Sequence, residues 1–414
     1  MHLFFYTISI YCYLGLIRIA ALFNTKAKLW VNGRKQWKRK LQEATKGQEN
    51  IIWFHAASLG EFEQGRPLME RLKKKNPNNF ILLSFFSPSG YEIKKDYQGA
   101  DYICYLPIDS PSNARFFVET IKAKQVFFIK YEFWFNFLNE LQKNKTPHFL
   151  VSGIFRPNQM FFKWYGKRFL AILQNFNHLF VQNEASQKLL KKYKIQNHSL
   201  TGDTRFDRVL EIAQKSKTVP LVESFTKDKE TLVVGSSWPQ DEEMLKNYIN
   251  DNLTSDKRYI IAPHNIDEKH LQEIENLFTN ISIRFSTAEK NISLLENKKI
   301  LIIDNIGILS SLYKYGTIAY IGGGLKTGLH NILEAAVYGI PVVFGNNYSK
   351  FQEAKDLVQL NGAFNFSKEV ELKTILNKLF SDKSFCEKTG DINRTYIEKN
   401  KGAVEKIISI TQKN

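Results

Sequence analysis

Apolar and polar positions divide the chain into two regimes. Residues 1–17 carry no Asp, Glu, Lys or Arg, and after Arg18 the apolar run resumes as far as Phe23. Leu3 to Phe23 just reaches the roughly 20 apolar residues that a bilayer span needs. Arg18 to Lys40 then contains eight basic residues and no acidic one. The positive-inside rule sets that flank, and the body behind it, in the cytoplasm. Its cations suit anionic headgroups. Residues 1–23 are therefore expected to be a membrane anchor; a buried helix of a soluble protein is the plainer alternative. From residue 50 onward, short runs rich in Ile, Val, Phe and Tyr alternate with longer amphipathic stretches. Buried parallel strands read as such runs. Predicted strands are 51–55, 80–85, 102–106, 126–129, 149–152 and 178–182. Helices are expected over 61–75 and 110–123, the second with Ser110 as N-cap and Pro111 at its first position.

The alternation restarts with predicted strands 231–234, 259–262, 300–304, 317–321 and 341–344. Strands alternating with helices make βαβ units. The polar segment 215–230, which contains Pro220, reads as a linker. The expected architecture is α/β: two doubly wound Rossmann-like domains, residues 24–220 and 221–414, facing a cleft behind the anchor. Ligands of such sheets bind at the carboxyl ends of the strands.

Composition sharpens this picture at two points. The chain has 414 residues, with 58 Lys+Arg against 41 Asp+Glu and a net charge of +17. Such a charge favours anionic partners such as acidic lipid, phosphorylated substrates or nucleic acid; a Lys-rich proteome would give the same balance. The three cysteines, Cys12, Cys104 and Cys386, are scattered. That excludes a disulfide scaffold and a cysteine-based zinc cluster.

Five segments can carry chemistry. In residues 51–68 the first strand ends near His55, a small-residue turn follows, and Glu61 opens a helix. Glu61 can take a proton from an acceptor hydroxyl, or merely complement the helix dipole. His55 and Ser58 can bind acceptor groups or simply satisfy the turn. In residues 129–138, Glu132 follows the 126–129 strand, so two acids converge on equivalent strand ends. Its aromatic neighbours Tyr131, Phe133, Trp134 and Phe135 read as core. Gly235-Ser236-Ser237 can cradle a phosphate or act as an ordinary N-cap. His264 lies just past a strand and can contact phosphate or a base, or be structural. Residues 320–345 say most. Gly322-Gly323-Gly324 and a flexible loop lead to His330-Asn331 and a helix in which Asn331 and Glu334 share a face. A glycine loop feeding a helix start suits an anion, and a carboxylate one turn inside can grip a ribose diol.

LWVNGRK, WFHAASLGE, YEFW, GDTRFD, GSSWP, PH and GGGLKTGLHNILEAA follow one another in that order. Together they resemble the 3-deoxy-D-manno-octulosonic acid (Kdo) transferases over nearly the whole chain. The resemblance implies a GT-B-type glycosyltransferase on the cytoplasmic face of the inner membrane. CMP-Kdo is the implied donor, and the implied acceptor is lipid IVA, a tetraacylated, bis-phosphorylated glucosamine disaccharide. It sets the catalytic base on Glu61 and a second acid on Glu132. Arg205 takes the place of a family lysine. Donor binding falls on Pro263 and His264, on Ile306-Gly307-Ile308, and on Asn331, Ile332, Leu333 and Glu334. The chain departs from the family pattern at Ala262-Pro263-His264-Asn265, where a PRHPER-like run is usual, and at Phe135, which replaces a proline.

Those residues suit inverting single displacement. The phosphate of the donor leaves without a strong acid, and only the acceptor hydroxyl needs a base. No metal site and no cofactor is expected. Arg66, Arg156 and Lys163 are candidates for the acceptor phosphates. A GT-B enzyme using a UDP-sugar and a lipid acceptor is the alternative. A membrane-anchored binder of anionic lipid or nucleic acid is the non-enzyme reading, but no nucleic-acid-reading motif is present, and nucleic acid is not expected as a partner.

Overall fold

A computed structural model describes residues 2–164 and 166–412, without the side chains of 2–5, 167 and 168. Two compact units are present, Met1–Asp207 with Lys401–Asn414, and Arg208–Asn400. The first holds a seven-stranded sheet built from β1 (Ile51–Ala56), β2 (Phe80–Phe85), β3 (Tyr102–Tyr105), β4 (Gln125–Ile129), β5 (His148–Gly153), β6 (His178–Val181) and β7 (His198–Leu200). Its order is β3-β2-β1-β4-β5-β6-β7, with every pairing parallel. The order reverses between β1 and β4, which marks their carboxyl ends as the natural ligand crevice. All six residues of β1 are buried, as expected of a central strand with helices on both faces.

The second sheet contains β8 (Thr231–Ser237), β9 (Arg258–Pro263), β10 (Ser282–Arg284), β11 (Ile300–Ile302), β12 (Ile318–Ile321), β13 (Val342–Gly345) and β14 (Ala363–Phe366). It runs β10-β11-β9-β8-β12-β13-β14, again all parallel. Here the reversal lies between β8 and β12.

Two boundaries differ from the sequence expectation. Residues 215–230 are not a free linker, because the helix Pro220–Thr226 buries Leu221, Val222 and Phe225. Residues 401–414, expected in the second domain, belong to the first unit. Asp207 accounts for this: its carboxylate accepts the Gly402 and Val404 amides at 2.7 and 3.1 Å and so caps the helix Ala403–Thr411. That helix then buries Val404, Ile407 and Ile408 in the core beneath β1.

The N-terminal helix His2–Ala20 is followed by Thr25–Asn32 and Trp37–Thr45. Residue 1 and the side chains of 2–5, part of the expected anchor, lie outside the described residues. Among the described residues no helix is long and apolar enough to cross a membrane. Arg34 ties these helices to the sheet. Its guanidinium donates to the carbonyls of Leu106 (2.8 Å), Trp30 (2.9 Å) and Phe86 (2.8 Å), and stacks 3.6 Å above the Trp30 ring. Burial pushes its pKa down to about 9. Gly33 is required beside it, since a Cβ there would stand 2.1 Å from the Tyr105 ring.

Candidate functional site

In the first unit, the chain turns at the end of β1 through Ala57 and Ser58 into the helix Leu59–Lys75. Glu61 lies in its first turn, half-buried, and accepts a hydrogen bond from the Ser58 hydroxyl. Glu132 follows β4, the neighbour of β1. It is buried, and its Oε2 receives the Trp134 indole N–H at 2.6 Å and lies 3.0 Å from His55 Nε2. The same indole N–H also lies 2.9 Å from His55 Nε2, so one donor is shared between the carboxylate and the imidazole. The other ring nitrogen, Nδ1, lies 2.9 Å from the Ser84 hydroxyl and 3.1 Å from the Ser84 carbonyl, and that hydroxyl accepts the Trp53 indole N–H at 2.7 Å. A buried hydrogen-bonded network therefore links Trp53, Ser84, His55, Trp134 and Glu132. His55 is fully buried, so it orients Glu132 and does not touch an acceptor. Arg205 pairs with Asp203 through Nη2 at 2.7 Å. Its neighbour Thr204 donates to the Gln64 carbonyl, one turn beyond Glu61. Glu61, Glu132 and Arg205 are thus gathered at one end of one sheet. Arg66 is engaged by Glu70 at 2.7 Å and Glu63 at 3.7 Å, whereas Arg156 and Lys163 are exposed.

A cavity of about 660 Å³ opens beside Glu132. Tyr131, Phe133 and Trp134, expected as core, line it together with Ala57 of the Glu61 turn. Phe133 and Trp134 also pack against the core, so the YEFW segment serves both purposes.

In the second unit the glycine-rich segment has a structural explanation. A Cβ on Gly322 would stand 2.2 Å from the Ser236 carbonyl, and Gly323 has φ +84°. Asp241, buried under this loop, accepts the Gly323 amide (3.0 Å), the Tyr320 hydroxyl (2.8 Å) and the Trp238 amide (3.0 Å). Ser237 donates to Glu242 at 2.7 Å, and His270 holds the other oxygen of Glu242 at 2.9 Å. Asp241 and Glu242 are therefore buried supports of the loop. Asn331 donates to Glu334 at 3.0 Å and accepts the Leu333 amide at 3.2 Å. The helix there is short, Leu333–Ala336. Gly307 has φ +99°, and the adjacent Ile306 is 85% exposed. Pro263 ends β9 opposite Ser237.

His264 belongs to an aromatic stack that the sequence did not reveal. Its ring lies 4.6 Å from Trp238 and 4.6 Å from His330, at 22° and 28°. The Trp238 indole donates to His330 Nε2 at 3.0 Å, so the His330 proton sits on Nδ1. Burial, with the charge of His264 second, pushes the His330 pKa down to about 4. Both Trp238 and His330 stand in motifs visible in the sequence, but only the fold joins positions 238, 264 and 330. Imidazole NMR should find His330 as the neutral Nδ1–H tautomer at pH 7, with its titration near pH 4. Folding stability should rise with pH from about 4 to 6.5, because the unfolded chain there binds the proton that the folded His330 refuses. A titration near 6.5 would mean that water reaches the ring.

Two parallel-sheet α/β units of this kind define the GT-B-type fold class. Solved UDP-N-acetylglucosamine 2-epimerases share it. The Neisseria meningitidis protein, crystallised with UDP-GlcNAc, aligns with a TM-score of 0.60 at 15% identity, over 88% of this chain and 100% of its own. A Listeria monocytogenes protein described as a UDP-N-acetylglucosamine 2-epimerase gives 0.59 at 10% identity, over 88% and 96%. Within that class, residues 35–208 match the model of the 3-deoxy-D-manno-octulosonic-acid transferase (kdotransferase) family. The Kdo transferase of Aquifex aeolicus is 28% identical over 366 residues, 86% of this chain and 95% of its own. That of Haemophilus influenzae is 22% identical over 368 residues, 87% and 86%. The chain is related to the Kdo transferases, as its motifs indicated, and is a glycosyltransferase by that kinship.

Proposed function

We propose that this chain transfers Kdo from CMP-Kdo to lipid IVA in lipopolysaccharide inner-core synthesis, at the cytoplasmic face of the inner membrane. The observation that carries the reading is the pair of acids at the β1/β4 reversal, in a chain whose relatives are Kdo transferases along most of their length. The acceptor hydroxyl gives its proton to Glu61 and attacks the anomeric carbon of Kdo. The bond to the CMP phosphate breaks, and the configuration inverts. Glu132, fixed by His55 and Trp134, cannot swing away and presents one carboxylate in one orientation. Arg205 keeps a positive charge near the site, with the planar fork that distinguishes it from lysine. Donor binding is assigned to Pro263, His264, Ile306, Gly307, Ile308 and Asn331 to Glu334. The Asn331–Glu334 bond sets that carboxylate for a ribose diol. Anionic lipid and the acceptor phosphates suit the net charge of +17, and nucleic acid is not among the proposed partners.

The test is incubation of the full chain with CMP-Kdo and the tetraacyl lipid A precursor in detergent, followed by product mass. Mass gain in steps of one Kdo supports donor and acceptor together and counts the sugars added. No gain, with CMP failing to protect against proteolysis where UDP succeeds, moves the assignment to a UDP-sugar.

A further inference from the structure

We propose that the cavity beside Glu132 receives an acyl chain of the acceptor, with the N-terminal helix forming one of its walls. This rests on the reading above that the acceptor is an acylated, phosphorylated saccharide. At about 660 Å³ the cavity falls in the range of roughly 300–1,000 Å³ that small-ligand sites occupy. Its walls come from three parts of the first unit: Tyr6 and Ile10 of the helix His2–Ala20, Phe86 and Trp134 behind β2 and β4, and Met160 and Phe161 of a 3-10 turn.

Three of the polar groups that line it are engaged within the protein. The Tyr6 hydroxyl donates to Asp109 at 2.6 Å. The Glu132 carboxylate holds Trp134 and His55, and the Gln159 side-chain oxygen accepts the Arg156 amide at 2.9 Å. Away from the Glu132 end and the Arg156 mouth, what faces the cavity is ring surface and hydrocarbon, from Ile10, Phe86, Phe133, Met160 and Phe161. A sugar would lose hydroxyl hydrogen bonds to water there without replacing them, whereas a methylene chain loses none. Charge enters at the mouth. Arg156 lines the cavity and is itself exposed, 5.9 Å above the Tyr131 ring, where a lipid phosphate can meet it. Large apolar side chains are also exposed on two of the segments that supply these walls. Met160 is 45% exposed and Trp164 89%, and on the helix Tyr11 and Leu16 are 51% and 67% exposed. A lipid tail can lie along the apolar walls while its sugar reaches Glu132. The N-terminal segment is then part of the acceptor site as well as its address.

The experiment uses the full chain in mixed micelles with a phosphorylated glucosamine disaccharide carrying a diazirine in one acyl chain. After irradiation, labelled positions are mapped by peptide mass. Label on Ile10, Met160 or Phe161 is expected, falling about tenfold in Met160→Trp, an exposed site where a larger ring fills the mouth without disturbing the core. Ile19→Trp, outward on the same helix, should label as wild type. The KM for the tetraacyl acceptor should rise about tenfold in Met160→Trp with the KM for CMP-Kdo unchanged. Label confined to Leu16, Ile19 and Leu22, or unmoved by Met160→Trp, overturns the proposal and leaves the acyl chains in the bilayer. The two readings separate cleanly. Cavity labelling without Kdo transfer keeps the acyl site and sinks the Kdo assignment. Transfer with labelling outside the cavity does the reverse.

Discussion

Glu61→Gln should lower the turnover number for Kdo transfer by about 10²–10⁴-fold, the usual contribution of a positioned general base. The amide keeps the size of the carboxyl and can still accept the Ser58 hydroxyl hydrogen bond, so the helix Leu59–Lys75 keeps its start. The competing role of Glu61 is that of a first-turn acid complementing the dipole, which is worth about 0.3–1 kcal/mol of stability and nothing in turnover. The two roles therefore predict different observables. A base loses rate with stability and CMP affinity intact. A helix-start acid loses a little stability with rate intact. Single-turnover transfer measured beside urea unfolding tells them apart. Rapid accumulation of a glycosyl-enzyme in either protein would replace single displacement with a covalent path.

Glu132 is held in place where Glu61 is half-free. Two ring nitrogens converge on one of its oxygens, and His55 behind it is fully buried. Removing Glu132 therefore takes a carboxylate from a buried hydrogen-bonded cluster with His55 and Trp134, at a cost of about 1–3 kcal/mol. Rate and stability should fall together in Glu132→Ala. Kinetics alone cannot assign this residue a role, whereas for Glu61 they can.

The central strands were legible in the sequence because burial on both faces leaves unbroken apolar runs. IIWF in β1 and LVV in β8 are such runs. The strands that sequence reasoning missed, β7, β10 and β14, are all at sheet edges. They are three or four residues long and carry His198, Ser199, Ser282, Arg284 or Asn365. An edge strand has neighbours on one side only, so nothing forces it to be apolar. The 215–230 segment misled for a related reason, since the three buried apolar residues of the helix Pro220–Thr226 are diluted by Lys and Glu around them. Site residues were legible as types at strand ends. Their partners were not, since Ser84 behind His55, Asp241 beneath Gly323 and the 238–264–330 stack are contacts between distant segments. No local pattern encodes them.

Asp109→Ala should cost about 3–5 kcal/mol in urea unfolding. Asp109 lies in the loop after β3, fully buried, and its carboxylate accepts the Asn136 and Phe137 amides at 3.0 Å each and the Tyr6 hydroxyl at 2.6 Å. The helix Phe135–Lys143 needs this outside cap because Trp134, at its N-cap, has no acceptor to offer. Deleting the carboxylate leaves two buried amides and a hydroxyl without partners, at about 1–3 kcal/mol apiece and less than additive. Tyr6→Phe removes one of the three bonds and should cost about 1–2 kcal/mol. Burial outweighs these donors and raises the Asp109 pKa from 3.8 to about 6. The sign follows: between pH 4 and 6 the folded chain holds a proton that the unfolded chain has released, so this group's contribution to stability falls as pH rises through that window. The fall is about 3 kcal/mol at most, at about 1.4 kcal/mol per unit. The stability difference between wild type and Asp109→Asn should therefore shrink or reverse from pH 4 to 6. A flat difference would mean that the helix start and Tyr6 together compensate the burial. Because Phe135 begins one residue beyond Trp134, the same cap sets the turn that carries Glu132. Tyr6→Phe should accordingly lower transfer even in detergent, where no bilayer is left for the N-terminal helix to find.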